Sequence, residues 1–392
     1  MRAALNRWNG QGTAQRLWRL ALLWLAGADL RMTVLALPPV LPLIHRQFAL
    51  SEKAVGALSG LPVLLFGLMA IPGSLLVARI GARRTCIAGL AVVAAASAAR
   101  GAGPSVAMLF AMTFLMAAGI AVLQPSLPAL VALWFPKSPG LATAIYANGL
   151  LIGEAGPAAL TIPVVLGVLG GSWPASLALW SAPVALTAVL MTLFTPSVRR
   201  PPTAPAMRWW PDWRHALTWQ LGLMQGGTGG LYFASNALIP DYLHAVGRPE
   251  LVGPCLSALN LGQLPASAVM LVWARRLTAG NAALVAMPAL AIPAIALLAD
   301  PRPWAAILGA AIIGFACALT LILTLALPPL LAPARDVHRL AAGMFAIGYT
   351  LSAVIPLVGG AIWDATGLPA AAFLATAAAA AVVLVTALTF RR

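Results

Sequence analysis

From Ser105 to Phe135 the chain reads SVAMLFAMTFLMAAGIAVLQPSLPALVALWF, without one charged side chain. A helix needs roughly 20 predominantly apolar residues to cross the hydrocarbon core of a bilayer. This stretch is longer, so it reads as a membrane span that tilts or bends, with Pro125 and Pro128 in its interior. Outward from it, charges, glycines and prolines punctuate further apolar runs. Upstream lie Leu17–Ile44, Val55–Val77 and Cys86–Ala99, the last short enough to need flanking residues. Downstream lie Leu141–Leu169, Trp173–Phe194, Ala216–Leu243, Leu251–Trp273, Ala282–Leu298, Trp304–Leu331, Leu340–Ile362 and Leu368–Phe390. The expected fold is an all-α membrane protein of about twelve transmembrane helices.

Composition excludes a soluble enzyme. The chain is 61% hydrophobic and 8% charged, with mean hydropathy +0.92, whereas soluble domains carry about 25% charged residues. Cys86, Cys255 and Cys317 all fall inside apolar runs and read as small buried hydrophobes, with no disulfide framework. The net charge of +15 is spread in ones, twos and threes between runs. Nucleic-acid-binding tails carry their charge in blocks, so no nucleic-acid partner is implied. No short hydrophobic region with a small-residue cleavage site opens the chain, so the first helix reads as uncleaved.

The arginines instead report topology. With a cytoplasmic N-terminus, 18 of the 24 Lys and Arg fall on the inner side and five on the outer side: Arg46, Lys53, Arg100, Arg248 and Arg302. The remaining one, Arg31, lies within a span. Such a bias predicts both termini in the cytoplasm and an even number of spans. The longest polar break, Thr195–His215, separates six runs from six. Residues 1–195 and 216–392 therefore read as two six-helix bundles joined by a cytoplasmic linker, 196–215. The halves share spacings: Gly56 precedes Arg79, and Gly253 precedes Arg276, by the same interval. Gly149 and Pro157 are spaced like Gly348 and Pro356. Transporter halves often carry such internal repeats.

Two motifs carry a family resemblance. The loop after the second run, Ser74-Leu-Leu-Val-Ala78-Arg79-Ile-Gly81-Ala-Arg83-Arg84, is similar to the conformational loop of the major facilitator superfamily, small-xxx-Asp-Arg-x-Gly-x-Arg-Arg, with Ala78 at the Asp position. The first run reads Asp29-Leu30-Arg31, then Leu37-Pro38-Pro39-Val40-Leu41-Pro42, then Leu50-Ser51. It resembles the cyanate/nitroimidazole transporter group, which typically shows Asn-Leu-Arg there. The resemblance covers nearly the whole chain. It implies a secondary transporter whose two bundles close alternately around one small molecule, with the first helix lining the central cavity. A drug exporter of the same fold is the alternative.

Ionisable groups inside a bilayer are costly and mark function by default. Arg31 lies roughly 20 Å from the inner end of its run. It has no neutral form to adopt and can clamp an anionic or strongly dipolar substrate through its planar fork. Asp29, two residues away, points to another face and cannot pair with it within the helix. Glu154 sits among Gly149, Gly153 and Gly156, small residues that suggest close helix packing. A carboxyl in hydrocarbon favours its neutral form, so Glu154 is the first candidate for proton coupling and Asp29 the second. Thr228, Tyr232 and Asn236 share one helix face, and Gly226, Gly227, Gly229 and Gly230 would permit a bend there. Tyr232 and Asn236, with Gln124, Asn260, Gln263 and Tyr349, complete the expected substrate-contacting set. No catalytic, metal-binding or nucleotide-binding motif is present. No cofactor is expected, and energy would come from an ion or substrate gradient. The expected partners are a small-molecule substrate, protons and the lipid of a bacterial inner membrane, with the chain acting as a monomer.

Overall fold

A computed structural model describes residues 12–103, 105–195, 207–300 and 302–390. Arg2, Arg7, Arg199, Arg200, Arg391 and Arg392 of the charge count lie outside the described residues, as does most of the linker. Every regular element among the described residues is a helix, with no strand. Among the described residues nine segments are long and apolar enough to cross a membrane, and the bent pair Ala57–Leu68 and Ala70–Ile80 makes a tenth. Ala282–Leu298 is an eleventh, shorter apolar helix. Ala216–Ala245, at 30 residues, is long enough but diluted by glycines and polar side chains. These twelve segments match the twelve apolar runs in order.

Local chemistry sets their ends and breaks. Ser51, Ser105 and Ser172 each accept a backbone N–H three residues on, capping the second, fourth and sixth spans, as short hydroxyls at helix starts do. The first span breaks at Pro38 and Pro39, where its helix Thr13–Leu35 gives way to a 3-10 turn and then Leu41–Phe48. The fourth breaks at Pro125, into Val106–Leu123 and Ser126–Trp134. The fifth, Pro139–Leu160, continues through a π turn over Thr161–Val165. Proline removes a backbone donor, and insertions of this kind relieve the freed carbonyls.

Helices pair alike in the two halves. The first packs on the fifth, as the seventh packs on the eleventh, Val337–Thr366. The third, Ala82–Ala99, packs on the fourth and on the sixth, Trp173–Phe194. The ninth, Ala282–Leu298, packs in the same way on the tenth, Pro303–Leu331, and on the twelfth, Phe373–Thr389. Across the halves the second meets the eleventh, and the fifth meets the eighth, which runs as Val252–Leu261 and Gln263–Leu277. Glycines set the tightest of these approaches. A Cβ at Gly27, Gly149 or Gly153 would strike backbone of the partner helix in the first–fifth pair. Gly222, Gly226 and Gly230 lie directly against Ile347, Leu351 and Ile355. The glycine cluster, which would permit a bent or broken helix, does not break it: Ala216–Ala245 is one continuous helix. The missing side chains serve close packing instead, the small-residue interface common in membranes.

The core is joined at one end only. At the end near Leu22 and Phe390, where the described chain begins and finishes, a single apolar cluster unites Leu23, Val131 and Ala147 of the first half with Met270, Leu323 and Met344 of the second. At the opposite end the halves have separate clusters, one around Val40, Leu109 and Leu177, the other around Ile239, Leu259 and Ile313. The structure is therefore closed at the terminal end and divided at the other. Large apolar side chains such as Leu186, Val272, Leu357 and Leu388 are exposed on the outside, where a bilayer would cover them.

Candidate substrate site between the halves

Arg31 lies four residues before the end of the first helix, at 9% exposure. Among the described residues it makes no ion pair and no hydrogen bond, yet its nitrogens are not sealed from open space. Two aromatic rings flank it, one from each half. Its guanidinium carbon is 5.7 Å from the Phe66 ring centroid and 5.9 Å from that of Phe233. Both contacts fall within cation–π range. Tyr349, Glu154 and Tyr232 are the ionisable groups near it. An ion pair to Glu154, the structural alternative for this arginine, is not formed.

Glu154 meets the other half through Tyr232. The Tyr232 hydroxyl lies 3.0 Å from Glu154 Oε1 and 2.6 Å from Asn260 Oδ1, and Gln263 Nε2 donates to it at 3.3 Å. Asn260 is fixed in orientation, because its Nδ2 donates to the Leu256 carbonyl at 2.8 Å and to Asn236 Oδ1 at 3.2 Å. A tyrosine hydroxyl has one proton. It can therefore be donated to only one of its two acceptors, Glu154 Oε1 or Asn260 Oδ1, at a time.

Most of the expected site residues come together. Tyr232, Asn236, Asn260, Gln263 and Glu154 form this one network. Gln124 and Tyr349 form a second bridge between halves, Gln124 Nε2 donating to the tyrosine hydroxyl at 3.2 Å, and Tyr349 also packs edge-on against Phe66. Thr228 departs from the expected stripe and packs instead among Leu231, Met287 and Cys317 inside the second half. Asp29 also faces inward: it is 1% exposed, beside the Thr187 side chain, with Oδ2 unpartnered. As expected, it does not meet Arg31. In the loop motif, Gly81 has φ +87°, a backbone that favours glycine. Arg79 and Arg84 are exposed. Arg83 donates to Thr195 Oγ1 at 2.5 Å and to the Thr192 carbonyl at 2.8 Å, so it caps the C-terminal end of the sixth span.

Sequence reasoning missed several residues. Phe66 and Phe233 carry no signal in helices already rich in apolar side chains. Asn148 had one, as the lone asparagine of the fifth run. It accepts from Trp24 Nε1 at 2.8 Å and donates to Ser267 Oγ at 2.9 Å, tying the first, fifth and eighth spans together near the closed end. Arg100, counted as an outer-loop residue, is fully buried at the end of the third span. Its Nη2 donates to the Thr33 carbonyl at 2.7 Å and to Ser97 Oγ at 2.9 Å.

A bundle of twelve spans, split at one end, with the Arg31 cation between its halves, is the architecture of a membrane carrier. The family model of the Major Facilitator Superfamily matches residues 23–275, and the chain belongs to that superfamily. It is 27% identical over 361 residues to the 2-nitroimidazole transporter of Escherichia coli (strain K12), covering 90% of each chain. It is 26% identical over 360 residues to the cyanate transport protein CynX of the same organism, covering 89% of this chain and 90% of that one. Among solved structures, the transporter FucP in its outward conformation aligns with TM-score 0.76 at 15% identity, over 96% of this chain and all of that one. The chain is thus a multi-pass secondary transporter of this superfamily.

Proposed function

We propose that the protein carries a small anionic or strongly dipolar organic solute across a bacterial inner membrane, by alternating access coupled to protons. The halves, 1–195 and 216–392 with linker 196–215, rock about a site centred on Arg31. The unpaired, mostly buried guanidinium carries this reading. A buried cation without a counter-charge is costly, and an acceptor group entering the cleft would remove that cost. The resemblance in sequence to carriers of 2-nitroimidazole and of cyanate, one dipolar and one anionic, points the same way. Tyr232, Asn236, Asn260, Gln263, Gln124 and Tyr349 surround the solute from both halves, so binding favours closure. Glu154 carries the proton: it is a carboxyl within the fifth span that accepts from Tyr232 of the other half, so a change in its charge acts on a contact between halves. Both termini face the cytoplasm, which makes the divided end the outer one and this conformation outward-facing.

Uptake into proteoliposomes tests this. Small carboxylates, cyanate and 2-nitroimidazole, each radiolabelled, are offered under an imposed pH gradient. At least one should accumulate with wild-type protein and fail to do so with Arg31→Lys. Equal accumulation by the Arg31→Lys protein, or no accumulation of any of these solutes by wild type, would overturn the proposal.

A further inference from the structure

We infer that Arg100 is a positioning residue for transport: it caps the broken end of the first helix and so fixes where Arg31 points. This rests on the reading of Arg31 as the solute contact.

The case starts from the backbone. In an uninterrupted helix the Thr33 carbonyl would accept from the N–H of Leu37. Pro38 and Pro39 stop the helix, and the Leu37 N–H turns to the Val34 carbonyl at 3.3 Å. Thr33 O is left without a backbone donor just two residues beyond Arg31. A carbonyl orphaned at the end of a helix inside a membrane needs a donor, because no water is there to provide one. Arg100 Nη2 supplies it at 2.7 Å, from the far end of the third span.

The arrangement is an unusual use of an arginine. Arg100 is 0% exposed, and its Nε and Nη1 have no partner. None of the described ion pairs includes it. Ser97 Oγ, one turn earlier on its own helix, orients the same Nη2. Burying a guanidinium this way is unfavourable, and a neutral donor could satisfy one carbonyl. What the cation adds is its charge at the negative end of the first helix, where a basic group is favoured. It also ties the first and third spans at the proline break. Arg31 sits in the helical turn that this tie ends. If the cap is removed, the Asp29–Leu37 turn loosens, and Arg31 leaves its place between Phe66 and Phe233.

The test needs no substrate, so its failure is separable from failure of the Arg31 reading. Wild type, Arg100→Lys and Arg100→Met are compared in two measurements. Hydrogen exchange of the 29–37 segment should speed up by about tenfold in Arg100→Met, on the order expected for loss of a hydrogen bond to a charged group. Exchange of the fifth and seventh spans should stay unchanged. Phenylglyoxal labelling of Arg31, read by mass spectrometry, should rise several-fold, while labelling of the exposed Arg79 stays constant. Arg100→Lys should fall between the two. If Arg100→Met does not fold, Arg100→Lys decides alone: Arg31 labelling above wild type supports the inference, and labelling equal to wild type overturns it. Faster exchange throughout the first six spans, with Arg31 and Arg79 labelled faster together, would show a merely structural residue and refute it. So would unchanged exchange at 29–37.

Discussion

Gly153→Ala tests the close approach of the fifth helix to the first. A Cβ built at residue 153 lies 2.6 Å from the carbonyl carbon of Ala28 and 2.7 Å from its Cα, with the carbonyl oxygen nearer still. Carbon atoms in favourable contact sit about 3.5–4.0 Å apart, so the two helices must separate by about 1 Å. The obstruction is backbone, which cannot swing aside as a side chain would. Overpacking of this kind costs roughly 1–3 kcal/mol. Gly156, three residues on in the same helix, has nothing within 4 Å of its added Cβ. Gly156→Ala should be neutral or stabilise by up to about 1 kcal/mol, through the better helix propensity of alanine. Thermal unfolding of the two variants in one detergent should therefore separate them by about 1–4 kcal/mol of apparent stability, with Gly153→Ala below wild type. Equal melting temperatures for the pair would refute the contact.

Other consequences are as direct. Glu154→Gln should abolish pH-driven uptake while solute exchange persists; pH dependence surviving in that variant would move the proton site to Asp29. Ser267→Ala and Asn148→Ala each remove one bridge near the closed end, which should raise the population open at that end, read as a longer spin-label distance between the fifth and eighth spans. An unchanged distance distribution would deny the bridge a gating role. Reporter fusions at Arg392 and in the Arg46–Lys53 loop should report opposite sides of the membrane; the same side for both would contradict the topology.

Much of this architecture is written in the sequence, for physical reasons. A bilayer tolerates few charges, so apolar length alone marks the spans, and a lone Arg31 within one of them stands out. Lateral orientation is less legible. Thr228 shares a helix face with Tyr232 by spacing, yet close packing of the seventh and eleventh helices turns it into the second half. The glycines of that helix would permit a bend and serve as contact surface, because sequence does not say whether a missing Cβ frees the backbone or admits a neighbour. Arg100 misleads most. A basic residue at the end of an apolar run looks like a loop signal, and only the proline break in another helix reveals what it caps.

The central claim is that the Arg31 guanidinium holds the solute. Its most direct test is a thermal-shift titration of wild type and Arg31→Lys with the solute that the uptake assay identifies. At a solute concentration of about 100 times Kd, binding stabilises a protein by roughly 2.7 kcal/mol, enough for a clear upward shift of the wild-type melting curve. Lysine keeps the charge and loses the planar fork. The account predicts that Arg31→Lys melts with wild type in the absence of solute and shows little or no shift in its presence. A full shift in a well-folded Arg31→Lys protein would contradict it.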